Sequence, residues 1–205
     1  NGAIHHIVVS NNGVGYYLLT NSFSSVVSNK SFVLGTYASG ANNIYANSSL
    51  YISSGLGQGQ IRKIVSYNSG TKVLTVNNAF SPVPNTSSKF IIGPTIIVRG
   101  DSGATSNRRA TAYVSRPMNQ VAGISRITII TEGLNYSTAN VAFDSGAGSG
   151  ARATPIISPP GIHGTGGVHG QGGHGSDPVG ELYAHNVLMS ISVNRSEEHT
   201  SERQS

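Results

Sequence analysis

The sequence predicts a mainly β protein: a β-sandwich-like domain built from two copies of a strand-turn-strand repeat, the first copy split by an inserted small β domain, with one short helix near residues 178–185. Three observations lead there. Hydrophobic residues make up 37% of the 205, with Val and Ile common and long helix-forming runs missing, the usage of strands rather than helices. Only 10% of residues are charged, while Ser, Thr and Asn number 62, so the surface is made polar by hydroxyls and amides that also suit turns. The third is an internal repeat.

The repeat begins with Ile4, Ile7, Val9, Gly13 and Tyr16, which recur 120 positions later as Ile124, Ile127, Ile129, Gly133 and Tyr136. Its second half, Asp101-Ser102-Gly103-Ala104 and Arg109-Ala110-Thr111, recurs 43 positions later as Asp144-Ser145-Gly146-Ala147 and Arg152-Ala153-Thr154. The two offsets differ by 77, the size of an insertion between Tyr16 and Thr95. Residues 1–16 and 95–160 therefore form the repeat-built β domain, and 17–94 an inserted β-meander domain. Within each copy, alternation such as that around Ile127 and Ile129 reads as strand, and Gly133 supplies the positive φ that a following turn needs. Tyr16 and Tyr136 are expected to cap the apolar face. The Asp-Ser-Gly-Ala stretch reads as a turn whose Asp bonds its own following amides.

In the insertion, residues 60–67 and 71–76 flank Asn68-Ser69-Gly70, a short hairpin loop, and Pro82 and Pro84 halt the run before a strand resumes at Lys89. Gly55-Leu56-Gly57-Gln58-Gly59 leads into a strand and lacks the Lys-Ser/Thr ending of a phosphate loop. Residues 161–176 are a His/Gly-rich loop. Its His163, His169 and His174 are the candidate metal ligands. Ordering about twelve flexible residues at roughly 1 to 2 kcal/mol each nearly cancels the roughly 10 to 16 kcal/mol of a structural zinc site, so a flexible loop without metal or other cofactor is expected. Asp177-Pro178 starts a short helix, and alternation from Val187 to Val193 gives a final strand; together they make up residues 177–194. Residues 195–205, RSEEHTSERQS, read as a translated sequencing adapter, which makes the chain an internal piece of a longer, metagenomic frame. Removing that stretch's two Arg and three Glu moves the net charge from +5 to +6.

The absence of Cys excludes disulfides, thiolate metal clusters and a cysteine nucleophile. No apolar run approaches the roughly 20 residues that cross a bilayer, so no membrane association is expected. Paired-carboxylate spacing and a Gly-x-Ser-x-Gly elbow are absent, and a non-enzymatic role is expected. Arg99, Arg108, Arg109, Arg116 and Arg126 form a basic cluster with poor aromatic interleaving, read as a solvated or subunit-facing edge rather than a nucleic-acid site.

The glycine-rich turn-strand repeats followed by Gly173-His174-Gly175-Ser176-Asp177-Pro178-Val179-Gly180-Glu181-Leu182 resemble a baseplate wedge subunit of contractile-tailed (myovirus) bacteriophages. The motif positions are Gly173, His174, Gly175, Ser176, Asp177, Pro178 and Glu181. The hairpin around residues 58–76, with Arg62, Ile64, Tyr67 and Gly70, is similar to β modules that recur in phage tail proteins. The resemblance touches most of residues 1–194 and departs from the family pattern in the extended loop at 161–172. It implies a structural virion protein of the tail baseplate, assembled in the host cytoplasm, paired as a homodimer and packed against other baseplate wedge proteins. The alternative is a glycan-binding tail-tip or tail-fibre module that stacks sugars on Tyr16, Tyr136 or Tyr113.

Overall fold

A computed structural model of the chain describes residues 2–100, 109–115 and 120–158. They form antiparallel β-sheets throughout. The strands are β1 (Ala3–Val14), β2 (Tyr16–Ser22), β3 (Ser25–Val26), β4 (Ser31–Val33), β5 (Ser48–Ser54), β6 (Ile61–Asn68) and β7 (Val73–Val76). After them come β8 (Lys89–Gly100), β9 (Thr111–Val114), β10 (Gln120–Ala122), β11 (Ile127–Thr131), β12 (Ala139–Asp144) and β13 (Ser149–Ser158). The main sheet runs β10-β2-β8-β5-β6-β7-β4-β3, with β12 also on β8; β1 and β13 form one separate ribbon and β9 and β11 another. No helix among the described residues is long and apolar enough to cross a membrane. The helix expected near 178–185, the loop at 161–176 and the strand from Val187 lie outside the described residues, as does the adapter-like stretch.

Two apolar cores fill these sheets. One belongs to the insertion. Phe23 stacks on Phe32 and Phe90 with ring centroids 4.6 and 4.7 Å apart, and Phe32 meets Phe80 edge-on at 5.5 Å. Leu50, Ile52, Ile64, Leu74 and Ile92 close around them at zero exposure. The hairpin turn is as the sequence predicts: the Asn68 carboxamide oxygen accepts the amides of Gly70 and Thr71, both at 2.9 Å, and Lys72 takes the left-handed φ of 59°. The second core, of Ile4, Ile7, Tyr16, Leu18, Ile96, Val98, Val114, Ile124, Ile127 and Tyr136, belongs to the repeats.

The repeats face one another across a local twofold axis. Val98 and Val141, equivalent at the offset of 43, are themselves antiparallel partners, and the pair Ile96–Phe143 maps onto Ala139–Gly100. At the offset of 120, the bridge Gly2–Tyr136 maps onto the pair Ala122–Tyr16. The bond from Ile4 N–H to Glu132 C=O, 2.9 Å, likewise maps onto that from Ile124 N–H to Asn12 C=O, 2.7 Å. Strands are exchanged between the copies: β1 of the first pairs with β13 of the second, and β11 of the second with β9 of the first. Gly13 and Gly133 both hold positive φ, 63° and 67°. A side chain on Gly13 would put its Cβ 2.5 Å from the Ala151 nitrogen and the Ser149 oxygen, so both the turn and the close approach of β13 require glycine.

Tyr16 and Tyr136 are buried to 3% and 0% exposure, and each hydroxyl accepts a backbone amide from the other copy. Tyr136 takes Ala110 N–H at 2.7 Å and Tyr16 takes Ala151 N–H at 3.3 Å. Tyr136→Phe leaves a buried amide without its partner and is expected to cost about 1 to 3 kcal/mol. Tyr16→Phe, at the longer and partly exposed bond, should cost less than about 1 kcal/mol in the same denaturant titration. Equal losses would contradict this account. The axis has its own check: in a Val98→Cys/Val141→Cys variant of this cysteine-free chain, directly opposed positions should close an intrachain disulfide in the monomer. Free thiols after oxidation would misplace the axis.

Candidate functional site

The residues singled out by sequence fall into three groups. His163, His169 and His174, and the motif positions Gly173, Gly175, Ser176, Asp177, Pro178 and Glu181, lie outside the described residues. Among the described residues no group of three His, Cys, Asp or Glu could hold a metal ion. Arg99, Arg109 and Arg126 are exposed, whereas Arg108 and Arg116 are outside the described residues.

The tyrosines expected to stack sugars are corrected by their burial. Tyr16 and Tyr136 have no ring face open to a ligand, because the exchange of strands drives both into the core of the repeats. Tyr113 is half-buried and stacked on Tyr51 at 3.9 Å. A second correction concerns the Asp-Ser-Gly-Ala turn. In the second copy the local bonds are made by Ser145, whose Oγ donates to Ala147 C=O at 2.7 Å and accepts its amide at 3.3 Å. Asp144 instead ends β12 and reaches the Lys63 ammonium of the insertion at 2.8 Å. Gly146 beside it sits against the backbone of the insertion, so that a Cβ would lie 2.7 Å from the Ile44 oxygen and 2.8 Å from that of Asn43. This turn is the joint between the duplicated part and the insertion.

Two concavities are candidate sites. The first, of about 370 Å³, lies on the insertion and is lined by Asn42, Asn43, Ser66, Tyr67, Asn68, Val73 and Thr75. Its amides suit a sugar, but their oxygens are already committed: Asn43 to the Tyr67 amide, Asn42 to that of Ser69, and Asn68 to the hairpin. Tyr67 donates to Ser39 C=O at 2.7 Å and meets Tyr45 edge-on at 4.8 Å. Burial, with Tyr45 and Tyr37 nearby, pushes its phenol up to about 12. Of the hairpin positions, Ile64 and Tyr67 are core. Arg62 lies over the Phe80 ring at 5.0 Å and bonds Ala79 C=O, Ile61 C=O and Gln60 Oε1. These residues hold the meander together.

The second concavity, of about 640 Å³, runs between β1 and β11 and is lined by His5 to Val9, Ser125 to Ile130, and Glu132. His5, His6, Ile7, Val8 and Val9 are the repeat equivalents of Ser125, Arg126, Ile127, Thr128 and Ile129, so the local axis runs through it. Ile7 and Ile127 are buried at its floor, His6 and Arg126 are exposed at its rim, and His5 Nδ1 lies 4.0 Å from Glu132 Oε1. The sequence reading missed it because His5 and Glu132 are far apart along the chain. The signal was nevertheless there, since a twofold axis sets equivalent segments face to face.

Two outcomes follow. Because the folded phenol of Tyr67 titrates near 12 and the unfolded one near 10, its contribution is intact below pH 10 and lost between 10 and 12. Unfolding midpoints should fall through that window, and in Tyr67→Phe they should fall less; an unchanged slope would contradict the assignment. Gly146→Ala should destabilise by about 1 to 3 kcal/mol through steric conflict at the joint, whereas Asp144→Asn, removing a half-exposed ion pair, should cost no more than about 1 kcal/mol. Thermal unfolding of both variants checks the order.

No protein-family model, curated protein or solved structure matches this chain.

Proposed function

We propose that this chain is a structural virion protein, a baseplate wedge subunit of a contractile-tailed bacteriophage, which acts by packing against other wedge proteins and against a second copy of itself. The observation that carries the reading is the exposed face of the β1–β13 ribbon. Among the described strands β13 is laddered to β1 alone. Arg152, Thr154 and Ile156 stand exposed along it, with Val8 of β1 beside them at 44% exposure, the same as Ile156. An exposed ribbon face with few charges loses little desolvation energy when a neighbouring subunit covers it.

The surface chemistry supports assembly over catalysis. Among the described residues the carboxylates are Glu132 and Asp144; Glu132 Oε1 lies 4.0 Å from His5 Nδ1 and Asp144 Oδ2 2.8 Å from the Lys63 ammonium, so these two carboxylates are not paired with each other for acid-base work. The resemblance carried by residues 173–182 supplies the specific setting, the tail baseplate.

Co-expression with the tail genes that flank its coding sequence is expected to yield a stoichiometric complex, and light scattering of the purified chain a dimer. Ile156→Lys should weaken one or both while leaving the unfolding midpoint within about 0.5 kcal/mol of the parent. A monomer that joins no flanking product, together with saturable binding on a glycan array, would replace this reading with that of a glycan-binding fibre module.

A further inference from the structure

Tyr51 of β5 belongs to the insertion and Tyr113 of β9 to the repeats, 62 positions apart along the chain. Their rings stack with centroids 3.9 Å apart and planes inclined by 22°. The close approach has a cause in the backbone. Tyr51 stands opposite Ile91 of β8, and Ser49, on the same face of β5, stands opposite Gly93. Gly93 offers no side chain there, and a Cβ on it would lie 3.2 Å from Val114. β9 can therefore settle over this face, with Tyr113, the residue before Val114, against Tyr51. β9 is itself held by its ladder to β11, where Tyr113 stands opposite Thr128.

Other tyrosine contacts have a different geometry. Tyr17 meets Tyr45 at 5.8 Å and Tyr45 meets Tyr67 at 4.8 Å, both edge-on, at 83° and 65°, so an edge of one ring points at the face of the other. In a face-to-face pair with both hydroxyls at the same end, the carbons ortho to them lie opposite each other. Burial first, and then the Tyr113 hydroxyl, hold the Tyr51 phenol above its ordinary value, which places the two hydroxyls near one another. Both rings are half-buried, whereas Tyr45 and Tyr67 are only 1% and 2% exposed. The Tyr51–Tyr113 pair thus combines contact, alignment and access to solvent.

We propose that Tyr51 and Tyr113 form an oxidative cross-linking site, where hydrogen peroxide acting through a haem peroxidase joins the two rings as dityrosine. Each phenol gives one electron and one proton to the peroxide, which leaves as two waters. The two phenoxyl radicals join by a carbon–carbon bond between ortho positions, and the hydrogen displaced from each ortho carbon moves to its phenolic oxygen. Two radicals already in contact couple with the advantage of an intramolecular reaction. The product ties the insertion to β9 across 62 positions and so restricts the unfolded chain, as a disulfide does, in a sequence that has no cysteine. The site stands whether or not the chain is a baseplate protein.

The test is oxidation of the whole chain in dilute solution with hydrogen peroxide and a haem peroxidase, read by dityrosine fluorescence, gel mobility and mass spectrometry of the digest. The fluorescence should appear in a species that stays monomeric on a denaturing gel. Its digest should hold a linked peptide pair carrying Tyr51 and Tyr113, two hydrogens lighter than the separate peptides, and oxidation in concentrated urea should not favour that pair. Tyr51→Phe and Tyr113→Phe should each lower the monomer's fluorescence by at least about tenfold, whereas Tyr37→Phe, which removes a phenol of 36% exposure, should leave it within about twofold. The oxidised monomer should unfold at a higher denaturant concentration than the untreated chain. Should either variant at the stack fail to fold, the peptide map of the parent chain decides by itself. An absence of dityrosine, links formed only between chains, linked peptides that follow exposure and favour Tyr37, or monomer fluorescence that survives Tyr51→Phe would each overturn the proposal.

Discussion

Both cores depend on one continuous strand. β8 enters the insertion's core with Phe90 and Ile92 and, after Gly93 and Pro94, enters the core of the repeats with Ile96 and Val98. At the crossing a Cβ on Gly93 would lie 3.2 Å from Val114 and 3.5 Å from Leu18, so the two packings meet with little room between them. The partners of β8 change at the same place. Its first half lies between β2 and β5, and its second half pairs with β12. Displacing β8 would therefore disturb the phenylalanine cluster and the twofold axis together, because interiors packed at crystal-like density pass strain on.

The axis through Val98 and Val141 turns a duplicated sequence into a closed, self-complementary pair inside one chain, with the logic of an isologous dimer. Exchange of β1 and β11 between the copies buries Tyr16 and Tyr136 and uses each hydroxyl on the other copy's backbone. Duplication also leaves the gap on the axis. There the copies have diverged: His5 and Glu132 mark one end, and their equivalents Ser125 and Asn12 mark the other. A symmetric frame thus carries an unsymmetric distribution of polar groups.

The abundance of amides and hydroxyls has a structural use. Asn43, Asn68 and Asn85 bond backbone amides that would otherwise lack partners in turns, and Ser88, fully buried, donates to Leu56 C=O at 2.8 Å. Short polar side chains of this kind substitute for backbone partners where the chain reverses. In the insertion's concavity they account for a polar lining without a ligand.

The sequence by itself determined what is local. Alternation marked the strand at Ile127 and Ile129, Asn68-Ser69-Gly70 marked the hairpin, and Gly133 marked a left-handed turn. Each is legible because a few adjacent residues set backbone φ or the facing of side chains. Tertiary structure alone decided the exchange of strands, the hold of Gly146 on the insertion, the bonds of the Tyr16 and Tyr136 hydroxyls to Ala151 and Ala110, and the gap lined by His6 and Arg126. Those follow from pairings such as Val9 with Ala153, where register is set by the packing of whole faces rather than by neighbours along the chain.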